Sequence, residues 1–253
     1  DGGSGDTIPN TLFEGFGNNV KDVRFTSDNF RVGGVGSLVF NYTPNLAILR
    51  IRSRRTINGN LPNIGACGKL RYLDLFNNAF TGGVYSLSSN ESLENVFLHF
   101  NQLTGEIPGY DNLPRLIRLR FQQNKFTGLK KFTLPKIREF RVHQNEITGA
   151  IPTFADCPKM QVLTLYSNKF NSYTPGAIVE NYNLRLFDVS ANRLSVVSLN
   201  NIINDLYTNY ENSSGSRRVV VNLRSQDGGA EPTGEDILAK IDFLTGKGWT
   251  ILI

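Results

Sequence analysis

The 253-residue sequence lacks any apolar run approaching the roughly 18–20 residues that a membrane-spanning helix needs. Its first residues, DGGSGD, also lack the basic start and apolar stretch of a signal peptide. We therefore expect no membrane insertion and a chain that is soluble as given. Because the sequence begins with Asp1, it is expected to be a processed form or an excised segment.

A concentrated charge of one sign is missing as well. Lys and Arg number 27 and Asp and Glu number 22, which leaves a net charge of +5. Dedicated nucleic-acid binders usually carry a larger local excess, so no nucleic acid is expected as a partner. The 40% share of hydrophobic residues is enough to bury a core, which predicts a folded protein of one or two domains.

Catalytic motifs are also absent. The sequence contains no G-x-S-x-G, H-E-x-x-H or phosphate-loop pattern. We therefore expect no enzyme activity, no catalytic residues and no cofactor.

A short repeated frame is what the sequence does contain. Six segments fit L-x-x-L-x-L-x-x-N-x-L, with intervals of 21 to 24 residues between their asparagines, which are Asn78, Asn101, Asn124, Asn145, Asn168 and Asn192. Two degenerate copies precede them at 20–28, with Asp28 near the asparagine position, and at 46–54, with Arg54 there. Self-similarity at this period predicts a solenoid in which each coil stacks on the next.

Each fixed letter of the frame has a physical reason. In L-x-L the side chains alternate between two faces, so both apolar residues point inward from a short parallel strand. The asparagine carries donors and an acceptor for the backbone where the chain leaves the strand, which predicts a structural asparagine ladder. The glycines that follow permit a positive φ in the next turn: Gly82, Gly105, Gly128 and Gly149.

This frame resembles the leucine-rich-repeat family, and its L-x-G-x-I-P ending is similar to a subtype common in plant extracellular receptors. The resemblance covers roughly 180 residues and implies an α/β solenoid, a right-handed superhelix with a parallel β-sheet on its concave face. Members of the family are mostly recognition scaffolds that bind proteins, peptides or glycans on that face.

The last residues break the frame. Apolar positions at Leu199, Ile202, Ile203, Leu206 and Tyr210 predict a helix over 199–215, and 219–223 is typical of a strand. A second helix is predicted with Ile237, Leu238, Ile241 and Leu244 inward, followed by a strand from Trp249 to Ile253. The expected organisation is a Gly-rich lead-in (1–17), a solenoid of about eight coils (18–196) and a helix-strand-helix-strand cap (197–253). The residue pattern of the cap resembles the C-terminal caps of leucine-rich-repeat surface proteins of bacteria and tailed phages.

The two cysteines support that comparison. Cys67 and Cys157 fall in one column of the repeat, four coils apart, and stacked strands would separate them by nearly 20 Å, beyond disulfide reach. We expect free, buried thiols, whereas plant receptors of this family are usually capped by paired cysteines. Asn41, Asn90 and Asn212 begin N-x-S/T sequons, whose use the sequence leaves open.

The outward strand positions predict where a ligand binds. In register they gather aromatic and basic side chains in the middle of the concave face: Phe76, Phe97, His99, Phe100, Arg118, Arg120, Arg141, His143 and Tyr166. Aromatic residues with arginine are enriched at binding hot spots. The alternative is a solvated face whose aromatics pack against neighbouring arginine stems.

Neither a metal site nor the carboxylate pair of a glycosidase is expected on this face. His99 and His143 are two repeats apart without a compact ligand set, so no metal site is expected, although the pair could make binding depend on pH. Asp74 and Glu139 are three repeats and roughly 14 Å apart, too far for the paired carboxylates of a glycosidase.

The first functional expectation is an extracellular adhesin or receptor-binding protein on a phage virion or bacterial surface, with a host glycan or protein on the concave face. The alternative is a structural spacer or decoration component of such an assembly. A plant-type receptor ectodomain or polygalacturonase inhibitor is the third. Other subunits of its own assembly are plausible partners at the N-terminal end.

Overall fold

The computed structural model describes residues 7–8, 19–26, 31–32, 40, 43–52, 57–213 and 217–253. Ten strands of this part form one parallel sheet in the order β2, β4, β6, β8, β10, β12, β14, β16, β17, β18. With numbering in chain order, their bounds are Asp22–Thr26, Ile48–Arg52, Tyr72–Asp74, Asn95–Phe97, Arg118–Arg120, Glu139–Arg141, Val162–Thr164, Leu186–Asp188, Val220–Asn222 and Thr250–Leu252. One strand per coil is what the L-x-L frame predicts.

Shorter pairs form outside the main sheet. Their strands are β1 (Thr7–Ile8) with β3 (Arg31–Val32), β5 (Asn58–Asn60) with β7 (Ala79–Thr81), β9 (Thr104–Ile107) with β11 (Lys125–Leu129), and β13 (Thr148–Ile151) with β15 (Lys169–Tyr173). A 3-10 helix spans Tyr85–Ser89. These segments lie on the return path, the part of a coil that leads from one main-sheet strand to the next, and the strand pairs join neighbouring coils there.

The core lies between the main sheet and this return path. The two apolar positions of successive strands stack into buried columns, for example Leu73, Val96 and Leu119, and each of these side chains is at most 1% exposed. Because a coil buries these residues only against the coils beside it, stability comes from stacking.

The ladder asparagines bind the backbone between coils. Asn101 donates through Nδ2 to the carbonyl oxygens of Leu75 (2.9 Å) and Leu98 (3.0 Å), and its Oδ1 accepts from the Phe80 N–H (3.0 Å). Asn124, Asn145, Asn168 and Asn192 repeat this bonding, and Asn78 makes the same two donor bonds, to Ile51 O and Leu75 O. The residue before each of the six asparagines is left-handed, with φ between 51° and 59°: Asn77, Phe100, Gln123, Gln144, Ser167 and Ala191. The tight turn out of every strand therefore needs a positive φ.

One of the four turn glycines differs from its equivalents. Gly82, Gly105 and Gly149 have φ between 78° and 85°, whereas Gly128 lies outside the left-handed region. Gly128 instead pairs with Glu106 at a register shift in β11, and a Cβ built there would lie 3.0 Å from the Glu106 Cγ. Close packing, and not a turn, explains this glycine.

The C-terminal unit consists of helix α1 (Val196–Glu211), β17, helix α2 (Glu235–Gly246) and β18. It continues the solenoid: β17 pairs with β16 and β18 pairs with β17 in the same sheet. Gln226 takes the place of the ladder asparagine, since its Nε2 donates to Val189 O (3.1 Å) and Leu223 O (2.8 Å). The expectation that the frame breaks here was therefore wrong for residues 219–226.

The helices bury most of the predicted stripes. In α1 Leu199, Ile202, Ile203 and Leu206 are buried and Tyr210 is half-buried. In α2 the inward placement of Leu238 was wrong: it is 45% exposed, because Ile237, Ile241 and Leu244 already form the stripe and Leu238 lies one residue further round the helix. The predicted leucine-rich-repeat solenoid with a C-terminal helix-strand-helix-strand unit is confirmed.

Both cysteines are free and buried, as predicted. Of the sequons, Asn90 is fully buried and donates to Ile64 O and Cys67 O, so it is closed to glycosylation in the fold, and Asn212 is exposed. Asn41, and Asp28 and Arg54 of the degenerate repeats, lie outside the described residues. Among the described helices, none has the length and apolar character that a bilayer span requires.

Candidate functional site

The concave face is built from the outward positions of the main strands. The register pairs Asp74 with Phe97, Phe97 with Arg120, and Arg120 with Arg141, so these residues form one column across β6, β8, β10 and β12. The side chains predicted for the site divide into three groups along this face.

The first group is aromatic. Phe76 stacks on His99 with ring centroids 4.3 Å apart, and Phe100 meets the edge of Phe76 at 5.5 Å. Arg52 covers part of this group, with its guanidinium carbon 5.5 Å from the centroid of Phe76. The three rings are half-buried and so keep apolar surface open to solvent.

Phe97 is far less accessible than its outward position suggests. It is 9% exposed, because Arg120 lies over the ring at 5.0 Å and Tyr72 meets its edge at 5.4 Å. Phe97 therefore supports Arg120 and Tyr72 from below, and the accessible surface at this point belongs to those two residues.

The second group is cationic, and Glu139 holds it together. Arg120 Nε lies 2.9 Å from the Glu139 carboxylate, Arg141 also contacts it, and Arg118 Nε is 3.8 Å away. Burial alone would raise the pKa of the Glu139 carboxyl, but hydrogen bonds from Arg120 and Arg141 outweigh burial and lower it. Three guanidiniums around one carboxylate leave an excess of two positive charges.

A smaller cationic group lies beside the aromatic one. Asp74 is fully buried and accepts from Arg52 Nε at 3.1 Å, and Arg50 Nε is 3.3 Å from the same oxygen. Arg50 also donates to the Tyr72 hydroxyl at 3.1 Å. The two carboxylates thus hold five arginine side chains close to the aromatic rings.

The third group pairs His143 with Tyr166. Their rings stack at 4.2 Å, His143 is 8% exposed, and its Nδ1 lies 2.9 Å from the Thr164 hydroxyl. Burial, followed by the nearby Arg141, lowers the pKa of His143 to about 4. Burial and Arg120 lower the pKa of His99 to about 4 as well. Both rings are neutral at neutral pH, so pH-dependent binding through them would be centred near pH 4.

Sequence reasoning considered Asp74 and Glu139 only as a catalytic pair and missed their role in organising this face. Tyr72, Asp74 and Glu139 are anchors for the arginines, and the available signal was the opposite charge of facing residues, such as Arg52 near Asp74. The described residues contain no group of three His, Cys, Asp or Glu side chains placed to hold a metal ion.

Comparison with known proteins gives the fold. No protein-family model and no curated protein matches the sequence. Among solved structures, the ectodomain of the Arabidopsis thaliana receptor kinase GASSHO1/SCHENGEN3 with CASPARIAN STRIP INTEGRITY FACTOR 2 is similar, with a TM-score of 0.59, 23% identity, and coverage of 69% of this chain and 22% of that one. The plant peptide hormone receptor RGFR1 with RGF2 is also similar, with a TM-score of 0.66, 22% identity, and coverage of 87% of this chain and 38% of that one.

A third similar structure is the ectodomain of the Arabidopsis receptor kinase HAESA with a peptide hormone ligand, with a TM-score of 0.59, 22% identity, and coverage of 80% of this chain and 38% of that one. The chain spans between about a fifth and two fifths of the length of these receptor ectodomains. Its repeat frame, its parallel sheet and these neighbours agree: the chain has the leucine-rich-repeat fold.

Proposed function

We propose that the protein is a non-enzymatic recognition module that binds its ligand on the concave face. The observation that carries this proposal is the half-exposed cluster of Phe76, His99 and Phe100 beside the arginines around Glu139. Aromatic and arginine side chains are the types most enriched at binding hot spots. Because these side chains are already fixed by stacking and ion pairs, little conformational entropy is lost when a ligand docks.

The chemistry of the face indicates the type of ligand. Five arginines (Arg50, Arg52, Arg118, Arg120 and Arg141) face two carboxylates, which leaves a net positive charge next to apolar rings. A ligand with an apolar group and a nearby anionic group fits both features. A protein or glycan at an extracellular surface supplies such groups, and the similar receptor structures are complexes with peptide hormones.

In its specific form, the proposal is an adhesin or receptor-binding protein on a phage virion or bacterial surface, with a host glycan or protein as its partner. Two observations support this form: the cysteines are unpaired, and the C-terminal unit closes the solenoid with helices and strands instead of a disulfide.

A structural spacer is the second candidate. The burial of Phe97 under Arg120 favours it, because that contact shows part of the face packing against itself. A spacer would make its contacts through edges and turns, and it would tolerate changes on the concave face.

A binding screen separates the two candidates. The purified chain is tested on a glycan array and on intact bacterial cells beside the variant Phe76→Ala/Phe100→Ala/Arg120→Ala. The matched control, Arg193→Ala/Val197→Ala/Leu238→Ala, removes two exposed apolar side chains and one exposed arginine outside the concave face. We expect the wild type and the control to bind and the concave variant to lose binding. Binding by all three would overturn the concave site, and binding by none would favour the spacer.

A further inference from the structure

A row of exposed basic residues runs along one flank of the solenoid, where each coil enters its strand of the main sheet. Six of them occupy the first or third position before a strand, and we call this set the basic flank: Lys69, Arg71, Arg115, Lys136, Arg138 and Lys159. Backbone bonds at this level join neighbouring coils, for example Arg71 N to Ala47 O at 2.9 Å and Arg138 N to Ile117 O at 2.8 Å. The cations therefore occupy equivalent positions in the coils of β6, β10, β12 and β14, and Glu94 interrupts the row in the coil of β8.

The basic flank differs from the other basic surfaces in its pairing. Within the part of the chain that the structure describes, none of its six side chains forms an ion pair or a side-chain hydrogen bond. Three lysines elsewhere are paired with carboxylates: Lys130 lies 3.3 Å from Glu106, Lys131 lies 2.6 Å from Asp156, and Lys169 lies 3.1 Å from Glu146. The positive charge of the flank is left free for a partner.

The charge of this surface accounts for the excess of the whole chain. Lys21 and Arg185 extend the row at its two ends, and the coil of β8 contributes the carboxylates Glu91 and Glu94. Eight cations and two carboxylates give the flank a net charge of +6, compared with +5 for the whole sequence. The remaining residues therefore sum to about −1, and among them the positive charge of the concave face is offset by acidic residues elsewhere.

Two grooves lie on the same flank. One has a volume of about 730 Å³ and is lined by Lys21, Lys69, Arg71 and Arg115, together with uncharged residues and Glu94. The other, of about 440 Å³, lies near the opposite end, where Arg185 and two further arginines line it. A long ligand could follow the row and reach into both grooves.

We propose that the basic flank binds a linear acidic polysaccharide along the solenoid, separately from the concave face. Parallel strands are about 4.8 Å apart, so a row with about one cation per coil suits a glycan with one carboxylate per sugar. Proteins that bind single-stranded nucleic acid combine cations with aromatic side chains on which successive bases stack. Tyr72 and Tyr182 line the grooves at the two ends, but the described cation positions between Arg115 and Lys159 carry no aromatic ring. The flank therefore lacks a continuous stacking platform, which favours the glycan.

The test compares two quadruple variants with the same change in charge. Arg115→Gln/Lys136→Gln/Arg138→Gln/Lys159→Gln removes four cations of the flank, and Lys125→Gln/Lys130→Gln/Lys131→Gln/Lys169→Gln removes four exposed or half-exposed lysines elsewhere. Binding to immobilised polymannuronate, with uncharged dextran as the blank, is measured between about 50 and 200 mM salt. We expect the flank variant to bind at least about tenfold more weakly than the wild type and to show a smaller salt dependence, because it releases fewer counterions.

The control variant should retain the affinity of the wild type. Equal weakening by both variants would show that only net charge matters and would overturn the proposed site, as would a wild type that does not bind polymannuronate. Tighter binding to oligo(dT) or to phosphatidylserine vesicles than to polymannuronate would overturn the ligand class. None of these substitutions alters the concave face, so the outcome is independent of the function proposed for that face.

Discussion

At the scale of single residues, the concave face depends on two carboxylates that the repeat frame does not specify. Asp74 and Glu139 hold the arginines beside the aromatic rings, and Glu139 remains ionised because Arg120 and Arg141 donate to it. Removing one partner of such a buried ion pair leaves the charge of the other partner without a counter-charge. The side chains proposed to contact a ligand are thus distinct from the two carboxylates that position them.

The two histidines give a prediction about pH. Their folded pKa values lie near 4, below the ordinary value of 6.5, so the unfolded chain takes up protons at these rings before the folded chain does. The histidine contribution to stability is therefore fully present above about pH 6.5 and falls as pH is lowered towards about 4. In urea unfolding, His99→Gln/His143→Gln should show a weaker dependence on pH over this range than the wild type.

An NMR titration of the histidine rings provides the control for this prediction. We expect neither ring in the folded protein to titrate until pH approaches about 4. A midpoint near 6.5 for either ring would contradict the burial and the arginine contacts described above.

The ladder gives a second residue-scale prediction. Asn124 donates to Leu98 O and Phe121 O and accepts from Leu103 N, at 3.0, 3.1 and 3.0 Å. Asn124→Ala leaves the Leu103 N–H unpaired, whereas Leu98 O and Phe121 O keep the bonds that Asn101 and Asn145 donate to them. The free energy of unfolding should therefore fall by about 1–3 kcal/mol. Denaturant unfolding followed by circular dichroism measures the loss, and the exposed neighbour Gln102→Ala should change it little. Equal losses in both variants would argue against the ladder.

At the scale of elements, the repeat frame predicts the features that all coils share and misses the features that differ from one coil to another. The strands and the asparagine ladder follow from L-x-L and the asparagine, because alternation and backbone satisfaction impose the same residues on every coil. The coil at 219–226 was not recognised, since Arg218 and Val221 stand at its first two leucine positions and Gln226 replaces the asparagine. The covering of Phe97 by Arg120 agrees with the alternative of aromatics packed against arginine stems, but the sequence does not indicate which ring is covered, since both residues fit an exposed strand position equally well.

Helix α1 is tied to the solenoid through one buried carboxylate. Asp205 accepts from the Tyr173 hydroxyl at 2.6 Å and from Gly176 N at 2.8 Å, and burial raises the pKa of both Asp205 and Tyr173. Asp205→Ala leaves both donors unpaired, so we expect a loss of roughly 1–3 kcal/mol in the stability of the C-terminal unit.

Trp249 is the probe for this loss. It is the sole tryptophan of the chain, lies in the last coil, and contacts Tyr210 of α1 with ring centroids 6.1 Å apart. Its fluorescence in urea should report an earlier transition for Asp205→Ala than for the exposed Glu211→Ala on the same helix. Coincident transitions for the two variants would show that Asp205 does not anchor the helix.

At the scale of the whole molecule, the solenoid separates two surfaces of different chemistry. The concave face combines arginines paired with carboxylates and half-exposed rings, whereas the basic flank has cations without partners among the described residues. Because both surfaces repeat once per coil, each can make an extended contact that no single loop could provide. Recognition on the concave face remains the central proposal.

The most direct measurement is the affinity of the concave variant Phe76→Ala/Phe100→Ala/Arg120→Ala for a glycan or cell surface captured in the screen, relative to the control Arg193→Ala/Val197→Ala/Leu238→Ala. We predict a loss of about 2 kcal/mol or more for the concave variant and almost none for the control, with both folded by circular dichroism. Equal affinities of the two folded variants would contradict ligand recognition on the concave face.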